Sequence, residues 1–286
     1  MYRITYLITI ERKSEKEYSI PDNIHRISLS RNRISLLEAI KAKNIDILIY
    51  NFYSKSEIRR LNQLNKTKII YYDHSSYFFW IYNNIYKYKY SVYYLYKNCK
   101  YVISLIPLEN DYLFKKWGIN SILMDNPSTF EYDLVIPSEL KSKDVIMIGR
   151  ANDPLKRFDL GIKAMTYIIN AIPECRMNIL SFIDGKCEEL IKELKLEKYV
   201  RFVGYHKNIE EYLKNSSLHI LPSLTESYPM VLSETNIFGI PSIIIGLDYL
   251  ALANKGNVII FDDNPQVIAI EAIKILKNDN YRKKWV

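Results

Sequence analysis

Two carboxylates, Glu226 and Glu234, close the stretch Glu226-Ser-Tyr-Pro-Met-Val-Leu-Ser-Glu234, and upstream Gly149-Arg150 is followed six residues after the arginine by Lys156. Carboxylates accept hydrogen bonds from sugar hydroxyls. Arginine and lysine take phosphate oxygens, one as a planar fork and the other as a point charge. The set suits an elongated ligand with a diphosphate in its middle and hydroxyl-bearing rings at its ends, as in a nucleotide sugar. Holding negative charge on a departing diphosphate is the main electrostatic task when such a ligand reacts. Gly149 ends an apolar run, where the lack of a side chain lets backbone approach a ligand. Pro229 suits the first turn of a helix. Glu226 would then lie in the preceding loop, with Glu234 inside the helix, about 7–8 Å along its axis at ~1.5 Å per residue. N–H groups around Ser227, Tyr228 and Met230 would face the diphosphate from the helix start.

The elements that must hold these residues alternate. Strand-like runs occupy Ile4–Ile10, Ile24–Leu29, Asp46–Asn51, Lys68–Tyr72, Tyr101–Leu105 and Ser121–Met124, with helical patterns at 34–43, 56–64, 79–98 and 109–117. The pattern at 79–98 carries an apolar stripe of Ile81, Ile85, Tyr88, Val92 and Leu95. Residues 126–143 hold Pro127 and Pro137 among Ser128, Thr129, Ser138 and Ser142, and read as a linker. A second series of strands follows at Val145–Ile148, Asn178–Phe182, Val200–Val203, Leu218–Leu221, Ser242–Ile245 and Val258–Phe261. Phe158, Ile162, Met165 and Ile169 mark the core face of its first helix. Such alternation predicts α/β architecture with parallel sheets. The expected domains are 1–125, a linker at 126–143, and 144–286.

Single features here have bland readings. Gly-Arg at a strand end is common, and Lys156-Arg157 suits a solvated helix start. Their order carries the weight: Gly149-Arg150, Lys156, Val203-Gly204, Leu221-Pro222-Ser223, Glu226 to Glu234, then Phe238-Gly239-Ile240-Pro241. This succession, over residues 144–278, resembles the retaining glycosyltransferases of family 4, which have the GT-B fold of two Rossmann-like domains facing a cleft. The resemblance implies that Arg150 and Lys156 contact the donor diphosphate, Glu226 the donor sugar and Glu234 the ribose. The stretch Gly204–Lys207 lies where the family approaches the base. The family is metal-independent and retains anomeric configuration; by analogy a UDP-sugar is favoured. Ile183-Asp184-Gly185 departs from the family's Gly-x-Gly. In the first half Asn126-Pro127 resembles the family's junction, and Tyr72-Asp73-His74-Ser75 stands where members carry a histidine facing the reacting sugar. His74 would orient an acceptor hydroxyl or the donor sugar; the other reading is an ordinary loop histidine.

Members open with a strand, a glycine-rich loop and a helix before anything like Ile4–Ile10. They also continue past a position like Trp285-Val286 into a helix that crosses back. The resemblance therefore implies a fold clipped at both ends, with a first domain lacking its opening strand and helix, and a partner chain that supplies the missing segment.

Bulk properties narrow the alternatives. With 286 residues, 48% of them hydrophobic, the chain can form two cores. The formal charge of +8 belongs wholly to residues 1–143, while 144–286 balance. A basic half suits an anionic partner, here a membrane surface or a phosphate-bearing acceptor, or else a solvated face. Cys99, Cys175 and Cys187 lack metal-ligand spacing and read as reduced thiols of a cytoplasmic protein, peripheral at the membrane. No apolar run reaches the roughly 18 residues of a membrane span, and Glu11-Arg12-Lys13 cuts the first apolar run short with no small-residue cleavage site after it, so a signal peptide is not expected there. Three functions follow: transfer of a sugar to a glycan or lipid-linked acceptor, nucleotide-sugar binding without turnover as a relative or subunit of a split enzyme, and nucleic-acid binding. The last has only Lys/Tyr interleaving at 86–100 in its favour and lacks a recognisable module.

Overall fold

The computed structural model describes residues 5–9, 21–29, 34–51, 55–64, 66–74, 89–206 and 208–285. Of these, residues within Met1–Tyr72 and Lys87–Ile103 form one compact unit, and those within Asp73–Tyr86 and Ser104–Val286 form another.

In the first unit β1 (Thr5–Thr9) and β2 (Ile24–Ser28) pair in parallel, Thr5 opposite Ile24. Strand β3 (Ile47–Tyr50) pairs in parallel with β4 (Lys68–Tyr72), and β4 with β5 (Tyr101–Ser104). Helices α1 (Leu36–Ala42), α2 (Lys55–Leu61) and α3 (Lys89–Lys97) alternate with them. Helix α1 starts with a reciprocal cap: the Ser35 hydroxyl accepts from the Glu38 N–H, and the Glu38 carboxylate from the Ser35 N–H at 2.7 Å. The sequence stripe holds in α3, where Val92 and Leu95 are buried. Its earlier members, Ile81, Ile85 and Tyr88, lie outside the described residues.

The second unit opens with α4 (Pro107–Trp117) and β6 (Ser121–Leu123). The segment that reads as a linker is tied down: the Ser138 hydroxyl donates to the Lys214 and Ser216 carbonyls, and its N–H to the Phe238 carbonyl at 2.9 Å. Six parallel strands follow: β7 (Val145–Ile148), β8 (Met177–Leu180), β9 (Val200–Phe202), β10 (Leu218–Leu221), β11 (Ser242–Ile245) and β12 (Asn257–Ile260). Their order is β9-β8-β7-β10-β11-β12. The chain runs outward from β7 on one side and then reverses to start again at β10. Loops leaving these two adjacent strands diverge, and a crevice opens at their C-terminal ends.

Helices cover both faces of this sheet: α5 (Phe158–Ala171), α6 (Gly185–Glu193), α7 (Glu210–Lys214), α8 (Met230–Ile237), α9 (Pro265–Lys277) and α10 (Asp279–Arg282). A strand buried on both faces must be apolar throughout, and Val145, Ile146 and Met147 of β7 are fully buried. Phe158, Ile162 and Met165 of α5 meet Val145 and Met147 in one core with Ile268, Ala272 and Ile275 of α9, while Ile169 packs at its margin; Ile146 faces the other side of the sheet, with Leu213, Phe238 and Ile240. Gly161 sets the approach of α5 to β7, since a Cβ there would stand 2.5 Å from Met147 Sδ. Each strand read from the sequence is present, with ends shifted by at most two residues.

Candidate functional site

The crevice begins where β7 ends. Gly149 turns the chain at φ 153, a backbone conformation that favours glycine, with the Phe158 ring in van der Waals reach. Asp153 then caps a short 3-10 turn, Pro154–Lys156. Its carboxylate accepts from the Leu155 N–H at 3.0 Å and from Arg150 Nη2 at 2.8 Å. Arg150 thus rests on Asp153, with its side chain 76% exposed. Lys156 leaves the turn toward β10, and its Nζ donates to Glu226 Oε1 at 2.5 Å, in a pair whose side chains are only 21% and 11% exposed.

Two buttresses hold this pair. Arg157 adopts a left-handed backbone, φ 46, which is costly for a side-chain-bearing residue. Its guanidinium offsets that cost by donating to the Pro222 carbonyl at 2.7 Å and the Ser223 carbonyl at 3.4 Å, and by pairing with Asp263. The Leu224 N–H also donates to the Leu155 carbonyl, so the loops after β7 and β10 are stitched together. From the loop after β11, the Tyr249 hydroxyl accepts from the Glu226 N–H at 3.2 Å and donates to the Glu226 carbonyl at 3.1 Å.

A cavity of about 240 Å3 opens here. It brings together six of the sequence-derived candidates: His74, Arg150, Lys156, Glu226, Ser227 and Tyr228. Asp153, Leu155 and Thr225 complete its wall. His74 belongs to the same compact unit as the rest. Burial lowers its pKa, against the opposing pull of Asp73, so the neutral imidazole is favoured. Pro229, expected in the first helical turn, is instead the residue before it, extended at φ −69 and ψ 107, and α8 starts at Met230. The shift follows from the fixed ring: φ suits either position, and a proline cap has no side-chain acceptor for the first N–H groups.

The other three candidates, Gly149, Met230 and Glu234, stand outside the cavity wall. Glu234 is buried within α8 and accepts from the Thr129 hydroxyl at 2.8 Å. Burial raises its carboxyl above the ordinary glutamate range, and the Thr129 bond acts the other way. Beyond β8 and β9, Phe182 and Tyr205 stack with centroids 5.7 Å apart and planes 12° from parallel, 71% and 60% exposed. At the departure Ile183-Asp184-Gly185, Asp184 caps α6 by accepting from the Cys187 N–H. Sequence reasoning missed Arg157, Tyr249 and the role of Thr129. Tyr249 and Thr129 reach their partners across 23 and 105 residues, which no local pattern records. Among the described residues no three His, Cys, Asp or Glu side chains gather as a metal site, and no helix is long and apolar enough to cross a membrane.

The sequence pattern of the family described as Glycosyl transferases group 1 matches residues 131–286. An uncharacterized glycosyltransferase of Haemophilus influenzae is 28% identical over 152 residues, 50% of this chain and 41% of that relative, so the match spans less than half of its length. Among solved structures, sucrose-phosphate synthase from Thermosynechococcus elongatus superposes with a TM-score of 0.71 at 17% identity, over 98% of this chain and 81% of that one. The Anabaena protein HepE, solved with UDP and glucose, gives 0.71 at 13% identity, over 90% and 77%. At these identities the likeness concerns fold, and the fold is that of the GT-B glycosyltransferases.

Proposed function

We propose, from the premise that this chain belongs to the group 1 glycosyl transferases, that it moves a sugar from a nucleotide-sugar donor to a glycan or lipid-linked acceptor with retention of configuration, as family 4 enzymes do. The carrying observation is the Lys156–Glu226 pair in the wall of a cavity that also presents Arg150 and His74. A cation for phosphate and a carboxylate for hydroxyls stand in contact, which is the junction a sugar diphosphate presents.

In this reading the diphosphate displaces Glu226 from Lys156. Arg150 and the N–H groups at the start of α8 share its charge. Glu226, freed but still held at its backbone by Tyr249, accepts from the donor sugar. Glu234 serves the ribose. The base lies by Gly204, where Phe182 and Tyr205 offer a flat apolar face, and a UDP-sugar is the favoured donor. The C1–O bond to the diphosphate breaks as the acceptor oxygen bonds C1 on the same face. The acceptor proton passes to the departing phosphate oxygen, so no metal and no protein base is needed. Neutral His74 orients a reacting hydroxyl.

The test is thermal. A ligand at about 100 times its Kd stabilises the native state by about 2.7 kcal/mol. With roughly 2–4 °C per kcal/mol for a chain of this size, UDP should raise Tm by about 5–10 °C. Chelation of divalent metals should leave that rise intact, and an Arg150→Ala/Lys156→Ala variant should lose it. Release of UDP from a UDP-sugar panel would separate turnover from binding alone. A folded chain that ignores every nucleoside diphosphate and responds only to single-stranded RNA or DNA would overturn the reading.

A further inference from the structure

The bond between Thr129 and Glu234 joins residues 105 apart. Thr129 lies before the six-stranded sheet begins, whereas Glu234 lies in the middle of α8. Glu234 is buried, and Thr129 is the hydrogen-bond partner of its side chain among the described residues. A buried carboxylate offers about four lone-pair directions. One oxygen, Oε1, is taken by a donor from its own chain.

The segment carrying that donor is itself fixed to α8. The Phe130 ring packs edge-on against Phe238, with centroids 5.1 Å apart at 82°, and Phe238 directly follows the last residue of the helix. The Ser138 N–H donates to the Phe238 carbonyl at 2.9 Å. Next to Thr129, the Ser128 hydroxyl accepts from the Phe130 N–H at 3.1 Å. The hydroxyl is therefore presented by backbone anchored to the same helix as its acceptor, and the carboxylate plane is set before any ligand arrives.

We propose that Thr129 is a positioning residue for the donor site: its hydroxyl holds Glu234 Oε1 so that the second oxygen meets the ribose hydroxyls already oriented. The inference rests on the donor reading given above. A group held in place before binding loses little freedom on binding, and a bond to an ionised acceptor is stronger than one between neutral groups. Thr129 needs no contact with the nucleotide to act this way.

The experiment is a double-mutant cycle read by titration calorimetry with UDP, using Thr129→Val, Thr129→Ser, Glu234→Gln and Thr129→Val/Glu234→Gln. With that bond lost, Glu234 must be ordered on binding, and the cost of fixing one side chain predicts about 2–10-fold weaker UDP binding for Thr129→Val. Thr129→Ser, which keeps the hydroxyl, should restore the parental value. In the Glu234→Gln background Thr129→Val should add nothing, because positioning acts only through the carboxylate. Equal losses from Thr129→Val in both backgrounds, or a Thr129→Ser variant as weak as Thr129→Val, would overturn the inference and leave the donor reading standing. Parental UDP affinity in Glu234→Gln would remove the ribose assignment and the inference with it. Should Thr129→Val fail to fold, Thr129→Ala removes the same hydroxyl with a smaller side chain and carries the comparison.

Discussion

Removing either partner of the Lys156–Glu226 pair should move UDP affinity in opposite directions. At 2.5 Å and an effective dielectric of about 20, the gross attraction is about 7 kcal/mol. Desolvation of both groups cancels most of it, and a net of about 1–2 kcal/mol is reasonable for a pair this sheltered. The diphosphate must break this pair before it can use Lys156. Glu226→Gln removes the competitor, leaves the cation in place and abolishes a carboxylate facing the incoming anion. UDP should then bind about 5–30-fold more tightly, which is 1–2 kcal/mol expressed as a ratio. Sugar transfer should fall, because the same carboxylate serves the donor sugar. Lys156→Ala should weaken UDP by about tenfold, near the lower end for a charge-assisted phosphate bond, since the parent already loses the Glu226 contact on binding. Titration calorimetry of the parent and both variants decides it. A Glu226→Gln variant that binds UDP as poorly as Lys156→Ala would refute the competition and with it the ligand-free role of the pair.

Three further outcomes follow from the site and its surroundings. Because burial raises the Glu234 pKa, the folded chain keeps a proton there only between the ordinary glutamate value and the raised one, where the unfolded chain has released it, and this group's contribution to stability falls as pH rises through that interval. Melting scans should therefore show Glu234→Gln matching the parent under acid conditions and exceeding it near neutrality; a parent that gains on the variant with rising pH would contradict the sign. Tyr249→Phe removes two hydrogen bonds to the Glu226 backbone, each with a net worth of about 0.5–1.5 kcal/mol, and should lower Tm by a few degrees while reducing kcat more than UDP affinity. Finally, the excess charge of residues 1–143 should favour vesicles of anionic lipid over neutral ones, with binding lost between low and moderate salt as screening shortens to about 8–10 Å; sedimentation with equal recovery from both vesicle types would leave only a solvated face.

The strands were legible because parallel sheets demand near-continuous apolar runs: Val145–Ile148 is wholly apolar, and Leu218–Leu221 and Ser242–Ile245 carry one polar residue each, His219 and Ser242. The principal site loops were legible for a related reason. Gly149-Arg150 directly follows such a run and Glu226 lies five residues beyond another, so locating the strands also located the strand ends where a crevice forms. The bonds that hold the site were not legible. Tyr249 grips Glu226 from the loop after β11, and Arg157 reaches Pro222 and Asp263 from an unusual backbone conformation. Periodicity reports which face of an element is buried; it does not report which distant carbonyl a hydroxyl or guanidinium will find. The one-residue offset at Pro229 has the same origin, since its fixed φ is compatible with both positions.

The reversal in strand order has a consequence for synthesis. Strand β7 gains its first neighbour when β8 is made, but its other edge waits for β10, which pairs Leu218 with Val145 about seventy residues later. At about 5–20 residues per second that edge stays open for roughly 4–15 s. It is one of the most apolar strands of the sheet, and its unpaired N–H and C=O groups form a ready template for another chain. Nascent chains of this protein are thus most exposed to mispairing before residue 221 has cleared the ribosome, and chaperone engagement should concentrate in that interval.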